Sequence, residues 1–479
     1  MINPRDKPTI LVREKPIVLC IAFMAFTFQF DAMLMVIALP DMARELNVSI
    51  SSISWVLILY LIAATAVFVP AGKLADRLGL RTVSLAGCIV GAVGTLLCGL
   101  ATNIEWLYFG RLIQGAGCGA MVATGYAMMP TWVSQTRTGW GYGVQSLGAG
   151  VGMMTGVPVG GLLSHYLAWQ WLFLATLPLF LFLTWFAWRV IPNASHQTLI
   201  CNKPINWPII GLFTFAMTAA VFVFGFGAAL GWLSTSITSA LVGIFITVLA
   251  LWWFARRGQV LFPRALFHSK SMVLAWVAMF VFAALVGGVR FTLPFYLEVA
   301  CGFGILLTSA LLLAYPIAYA PVSYKAGQLS DQWGSRRVIL AAATLTAITC
   351  LIYSPISQFH NIWFAGFFVL LFGISTGLNF APGNRLIMTS VPNTMRGEAG
   401  GLLSVVFNFG TLVGVVLFQQ SLEWNQTSAL HILNMTEDRT AVVQAVIDQQ
   451  FSENFLLAFG LSAVIAVLIF NTRDNATMT

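Results

Sequence analysis

Stretches of about twenty apolar residues are long enough to cross the ~30 Å hydrocarbon layer of a bilayer as helices. They recur along nearly the whole of this 479-residue chain. Six come first, near 16–39, 53–72, 83–102, 105–129, 139–166 and 169–190. A polar linker over 192–206 is followed by two more, near 207–230 and 234–255. The last six lie near 272–298, 304–326, 337–356, 361–390, 398–420 and 454–471. With 59% hydrophobic and only 8% charged residues, against about 25% charged in soluble domains, the chain is excluded from the soluble-enzyme, disordered and nucleic-acid-binding classes. An all-α membrane protein is predicted.

Charge tests the count. Fourteen spans put both termini on one side. If that side is the cytoplasm, 20 of the 24 Lys and Arg fall in inside segments, Arg44 and Arg439 fall outside, and Arg111 and Arg290 remain within spans. That is the bias of the positive-inside rule. Residues 1–15 read as a cytoplasmic tail and 472–479 as a second one, with 421–453 as the longest outside loop. The seven cysteines form no CxxC pair, so no metal site is expected.

An internal repeat organises the chain. The segment Gly72-Lys-Leu-Ala-Asp76-Arg77-Leu-Gly79-Leu-Arg81 recurs as Gly327-Gln-Leu-Ser-Asp331-Gln-Trp-Gly334-Ser-Arg336-Arg337, in register at an offset of 255 residues. Gly115 and Gly373, and Arg137 and Arg396, echo it at 258 and 259. The implied domains are a six-helix bundle over 16–190, a linker with two inserted helices over 191–271, and a second six-helix bundle over 272–471. Parallel halves of this kind are a transporter architecture.

These tandem G-x-L-x-D-x-x-G-x-R loops resemble the signature of the major facilitator superfamily. Further segments resemble its fourteen-helix drug:proton antiporter branch: Asp31 through Ala38-Leu39-Pro40, Arg111-Leu-Ile-Gln114-Gly115-Ala-Gly117, and Gly156-Val-Pro158-Val-Gly160-Gly161, the last with its proline one position late. The resemblance implies the major facilitator fold and proton-coupled export of small amphipathic molecules by alternating access. It gives Asp76, Arg77 and Arg81, with their counterparts Asp331, Arg336 and Arg337 and the glycines Gly72, Gly79, Gly327 and Gly334, the part of conformational latches. An ordinary topogenic turn is the other reading. Gly156, Pro158, Gly160 and Gly161 are assigned either to helix bending or to close packing.

Asp31 is the only clearly deep carboxylate, so it faces a cavity or a partner. Proton coupling is assigned to Asp31 with Arg111, structural pairing being the alternative. Asp31→Asn is expected to keep folding and expression and to abolish pH-driven transport. Gln29, Asp31, Gln114 and Arg290 are the candidate cavity residues. Arg290, near the repeat position of Asp31, has three readings: pairing with Asp31, binding an anionic substrate group, or reaching outward beside Glu298. The anion reading would make the chain a carrier of an anionic metabolite or metal chelator; a receptor or scaffold without transport is a remote option. No P-loop occurs, so the energy source is the proton gradient and no cofactor is expected. The expected partners are a small-molecule substrate and the lipid bilayer, with no nucleic acid. The expected form is a monomer in a bacterial inner membrane, with accessory export proteins as an option.

Overall fold

The computed structural model describes residues 7–48, 50–192, 206–231, 234–257, 262, 264–267, 269–433 and 439–472. Among these, every regular element is helical. In chain order they are α1 Lys7–Glu45, α2 Ile50–Leu78, α3 Leu80–Gly99, α4 Ile104–Trp132, α5 Thr138–Tyr166, α6 Gln170–Val190, α7 Trp207–Leu230 and α8 Thr235–Arg256. Then follow α9 Lys270–Phe295, α10 Ile305–Leu312, α11 Ala314–Trp333, α12 Ser335–Ile356, α13 Ile362–Thr389, α14 Arg396–Leu433 and α15 Arg439–Phe470. Twelve segments among the described residues are long and apolar enough to span a bilayer. The expected spans at 105–129 and 207–230 correspond to α4, diluted by glycines, Arg111 and Gln114, and to α7, of which Trp207–Val223 is apolar.

Three expectations change. The N-terminal tail is already helical from Lys7, and α1 buries Glu14. The expected outside loop at 421–453 holds more helix than the short amphipathic one that its sequence predicts from Thr436 through Ile447, as α14 runs to Leu433 and α15 starts at Arg439. The expected span at 304–326 is two helices, α10 and α11, parted at Leu313. The linker residues 193–205 and the tail residues 473–479 lie outside the described residues.

The chain divides into two compact units, residues 1–268 with 388–405, and residues 269–387 with 406–479. In the first, α5 lies along α1, α4 along both α2 and α3, α6 along α3, and α7 between α2 and α8. The first ten residues of α14 belong to this unit, whereas the sequence repeat had placed all of 272–471 in the second bundle. In the second unit α15 packs on α9 and α12.

Glycine spacing explains the tightest contact. On α5, Gly148, Gly152, Gly156 and Gly160 recur every four residues and meet the carbonyls of Ala22, Phe26, Phe30 and Leu34, also every four residues, on α1. A Cβ on Gly152 would stand 2.5 Å from the Phe26 oxygen, and one on Gly156 would stand 2.8 Å from that of Phe30. Only a hydrogen side chain permits that approach, a packing mode favoured where lipid gives no hydrophobic drive between helices. Pro158 is on the exposed side and α5 is continuous through it.

Candidate functional site

The deep charges of the first unit are neighbours. Asp31 on α1 and Arg111 on α4 are both wholly buried and form an ion pair of 3.0 Å, Nη1 to Oδ2. Gln114, one turn further along α4, donates from Nε2 to the other carboxylate oxygen, Oδ1, at 3.0 Å. Its Oε1 accepts from Arg111 Nη1 at 2.7 Å, and its Nε2 also donates to the Thr95 hydroxyl on α3 at 2.8 Å. Arg111 Nε donates to the carbonyl of Val56 on α2 at 2.9 Å. Its guanidinium carbon stands 4.5 Å from the ring centroid of Tyr60 and 5.6 Å from that of Phe173, within cation–π range. One buried cluster thereby ties together α1, α2, α3 and α4, within a shell of Phe30, Leu34, Val56, Cys98, Leu107 and Phe173.

Hydrogen-bond logic defines the state of this network. The Thr95 hydroxyl donates to the Gly91 carbonyl at 2.8 Å. Its lone pair therefore receives the Gln114 amide, which orients that amide with its N–H toward Asp31. Both groups facing the Asp31 carboxyl are then donors, and both of its oxygens must accept. Such a site fits an ionised carboxylate. A proton on either oxygen would take one of its lone pairs and cancel the charge that holds Arg111.

The two repeated loops are built alike but used differently. Gly79 and Gly334, between the paired helices, have φ of 92° and 85°, and ψ of 144° and 143°, a region essentially reserved for glycine. At the end of α2, Asp76 accepts from the backbone N–H groups of Gly397 and Glu398 at 2.7 and 2.8 Å. These are free donors in the first turn of α14, where a carboxylate is favoured by the helix dipole. Lys73 reinforces the contact with a 3.0 Å bridge to Glu398. Gly72 lies against Gly397, so that a Cβ on Gly72 would stand 2.9 Å from its carbonyl carbon. In the second unit Asp331 instead pairs with Arg385 of α13 at 2.9 Å, and Arg385 also bonds Ser330 O and Ser335 Oγ. The flanking arginines act elsewhere: Arg81 donates to the Trp188 carbonyl at 2.8 Å, Arg336 to that of Phe470, and Arg77 and Arg337 are exposed.

Register in space refines the repeat. Tyr60 and Tyr315 place their carbonyls against Gly115 and Gly373, and Ala64 and Tyr319 theirs against Gly119 and Gly377. The offsets are 255 for α2 to α11 and 258 for α4 to α13. Phe26 and Phe280 face Gly152 and Gly410, and Phe30 and Ala284 face Gly156 and Gly414, so α1 maps onto α9 at 254. The counterpart of Asp31 is therefore Leu285. Arg290 is five residues further along α9, or about 7.5 Å, which corrects its expected place at the repeat position of Asp31. Its guanidinium rests over the Tyr315 ring at 5.7 Å from the centroid and does not reach Glu298, which is exposed.

Other candidates are spread out. Gln29 is half-buried on α1 next to the Asp31 turn, and Gly161 is half-buried on α5. Glu14 was missed by sequence reasoning. It is buried on α1 and accepts from the Ser134 N–H at 3.0 Å and from Arg137 at 3.3 Å. Thr95 was missed as well, since a lone threonine in an apolar run carries no signal. His360 and Asp448, 2.7 Å apart, are a further pair that no motif announces.

Comparison with known proteins agrees with this architecture. Residues 21–415 match the family described as Major Facilitator Superfamily. The chain is 23% identical to the riboflavin transporter RibZ of Clostridioides difficile over 419 residues, 87% of this chain and 90% of that one. It is 24% identical to the putative multidrug resistance protein MdtD of Pectobacterium atrosepticum over 397 residues, covering 82% and 84%. In structure it resembles the human organic anion transporter MFSD10 (TETRAN), with a TM-score of 0.64 at 14% identity, over 94% of this chain and 99% of the other.

Proposed function

Because this chain belongs to the major facilitator superfamily, and is thus a multi-pass membrane transporter and not an enzyme, we propose that it exports small amphipathic molecules in exchange for protons. The observation that carries this reading is the buried Asp31–Arg111–Gln114 cluster. Protonation of Asp31 would cancel its charge and weaken its acceptance from Arg111 or Gln114. Arg111 would then lack its counter-ion, and α1, α2, α3 and α4 would readjust together. Asp31 is then the proton carrier and Arg111 the group that senses its charge. Asp76, seated on the first turn of α14, is the latch that holds one state until that readjustment.

The multidrug name borne by the MdtD relatives supports an export role. Fourteen spans with both termini in the cytoplasm are supported by the 20-to-2 charge bias, and a bacterial inner membrane by the bacterial source of the MdtD relatives. A membrane potential moves one charge with about 2.3 kcal/mol per 100 mV, roughly a 50-fold solute gradient. The test is proton release from the purified protein in weakly buffered solution, on adding cationic and anionic amphiphiles side by side. Substrate-dependent release that Asp31→Asn abolishes is expected. Uphill transport by Asp31→Asn at the full rate would refute the reading. A second reading, transport of an anionic metabolite or metal chelator, is favoured by Arg290, which lacks an ion-pair partner among the described residues.

A further inference from the structure

The two units solve the problem of a deep arginine in opposite ways. In the first, Arg111 lies over Tyr60 and is neutralised by Asp31, with Gln114 and Thr95 completing the network. At the repeat offsets, the counterparts of Asp31, Thr95, Arg111 and Gln114 in the second unit are Leu285, Cys350, Val369 and Phe372. All four are buried and none carries a charge. Yet a guanidinium still stands over the counterpart tyrosine: Arg290, delivered from α9, lies over Tyr315, the repeat mate of Tyr60. The second unit thus has an arginine–tyrosine pair, its arginine supplied by a different helix, and no carboxylate at the counterpart of Asp31.

Arg290 is only partly exposed, and it makes no ion pair or hydrogen bond among the described residues. The described acids of its unit are engaged or distant. Asp331 holds Arg385, Asp448 holds His360, Glu453 accepts from Gln449, and Glu298 is exposed, eight residues on and beyond the end of α9. A cation drawn out of water without a partner is costly, so an arrangement that retains one is completed from outside. The ring beneath it is held in place, because the Thr376 hydroxyl donates to the Tyr315 hydroxyl oxygen at 3.3 Å. Tyr315 stacks on Tyr319 at 5.8 Å between centroids, and Phe380 closes on Tyr319 edge-on at 6.4 Å. The cation thus stands at one end of an aromatic wall.

We propose that Arg290 and the Tyr315–Tyr319 wall form, within the second unit, a subsite for the carboxylate of an aromatic acid, the ligand supplying the negative charge that Asp31 supplies in the first unit. The guanidinium binds the carboxylate by charge-assisted hydrogen bonds, and the arene packs on the tyrosine rings in offset or edge-on geometry. The proposal rests on the chain's being a transporter and names a substrate class for it; it does not require that transport be proton-coupled.

The experiment is equilibrium binding to purified protein in detergent with no gradient, using 2-naphthoate, its uncharged carboxamide, and 2-naphthylmethylamine. Naphthoate should bind at least ~10-fold more tightly than the carboxamide. Arg290→Gln should lose about 10- to 100-fold of naphthoate affinity, the range for hydrogen bonds to charged groups, and leave carboxamide affinity unchanged. Without ligand, Arg290→Gln should unfold at the same or a higher temperature than the parent, because it removes an uncompensated cation; an arginine of purely structural role would show a fall. Equal binding of acid and amide, or naphthoate affinity untouched by Arg290→Gln, overturns the proposal. So does occupation by phosphatidylglycerol with no response to naphthoate, which would assign the cation to a lipid headgroup. Naphthoate binding with no proton release supports the subsite and removes proton coupling. Proton release with cationic amphiphiles and no naphthoate binding does the reverse.

Discussion

Asp31→Asn is the most informative perturbation, because the geometry sets its cost. Asparagine keeps the size of the side chain but offers one acceptor and one donor. Arg111 Nη1 and Gln114 Nε2 both donate to Asp31, so one contact becomes donor against donor. Gln114 cannot turn over to relieve it, since its Oε1 is held by Arg111 and its Nε2 by Thr95. Arg111, with no exposed surface, is then a buried cation without a counter-ion. Breaking a buried pair in this way costs about 3–5 kcal/mol, so the expectation from sequence that Asp31→Asn keeps the fold intact is revised to a marked loss of stability. Removing both charges with Asp31→Asn and Arg111→Met should cost much less than the sum of the two single changes, by about 2 kcal/mol or more. The assay is a double-mutant cycle on unfolding of the detergent-solubilised protein, followed by tryptophan fluorescence. If the single costs add to within about 0.5 kcal/mol of the double, the two residues are not coupled, and the account of Asp31 as the switch of this network fails.

Two further outcomes follow from the packing. Asp76→Asn retains one of the two bonds to the first turn of α14 and loses about 1.5–3 kcal/mol of charge-assisted contact, so reporter cysteines near the two membrane faces should change their alkylation rates about tenfold in opposite directions; unchanged rates would reduce the loop to a topogenic turn. Gly152→Ala puts a methyl group 2.5 Å from the Phe26 carbonyl oxygen and should cost about 1–3 kcal/mol, whereas Gly460→Ala, with nothing within 4 Å, should be neutral or stabilising by up to about 1 kcal/mol; equal melting temperatures for the two variants would refute the packing role of α5.

Hydropathy, charge bias and the 255-residue repeat belong to the linear sequence, because each depends on residue type and spacing alone. A bilayer demands long apolar helices whatever their neighbours, and a repeated turn signals itself wherever glycine is the only residue that fits, as at Gly79 and Gly334. For the same reason Asp31 and Arg111 could be singled out: a deep charge is rare enough to need a partner. Which partner it has depends on packing. The bonds from Arg111 and Gln114 join residues 80 and 83 positions apart, and no local pattern encodes that separation. Glu14 looked like tail and is buried, because its acceptors answer the Ser134 N–H and Arg137 in a turn far along the chain. Asp76 and Asp331, identical in motif, diverge because one meets free amides at a helix start and the other meets Arg385. The loss of a carboxylate in the second unit was hidden by uncertainty in register. Aligning α9 on α1 requires knowing which carbonyl each α5 or α14 glycine touches, and a shift of one residue turns a helix face by about 100°. That shift, visible only in the folded chain, puts the counterpart of Asp31 at Leu285 rather than near Arg290, and leaves Arg290 without a counter-ion among the described residues.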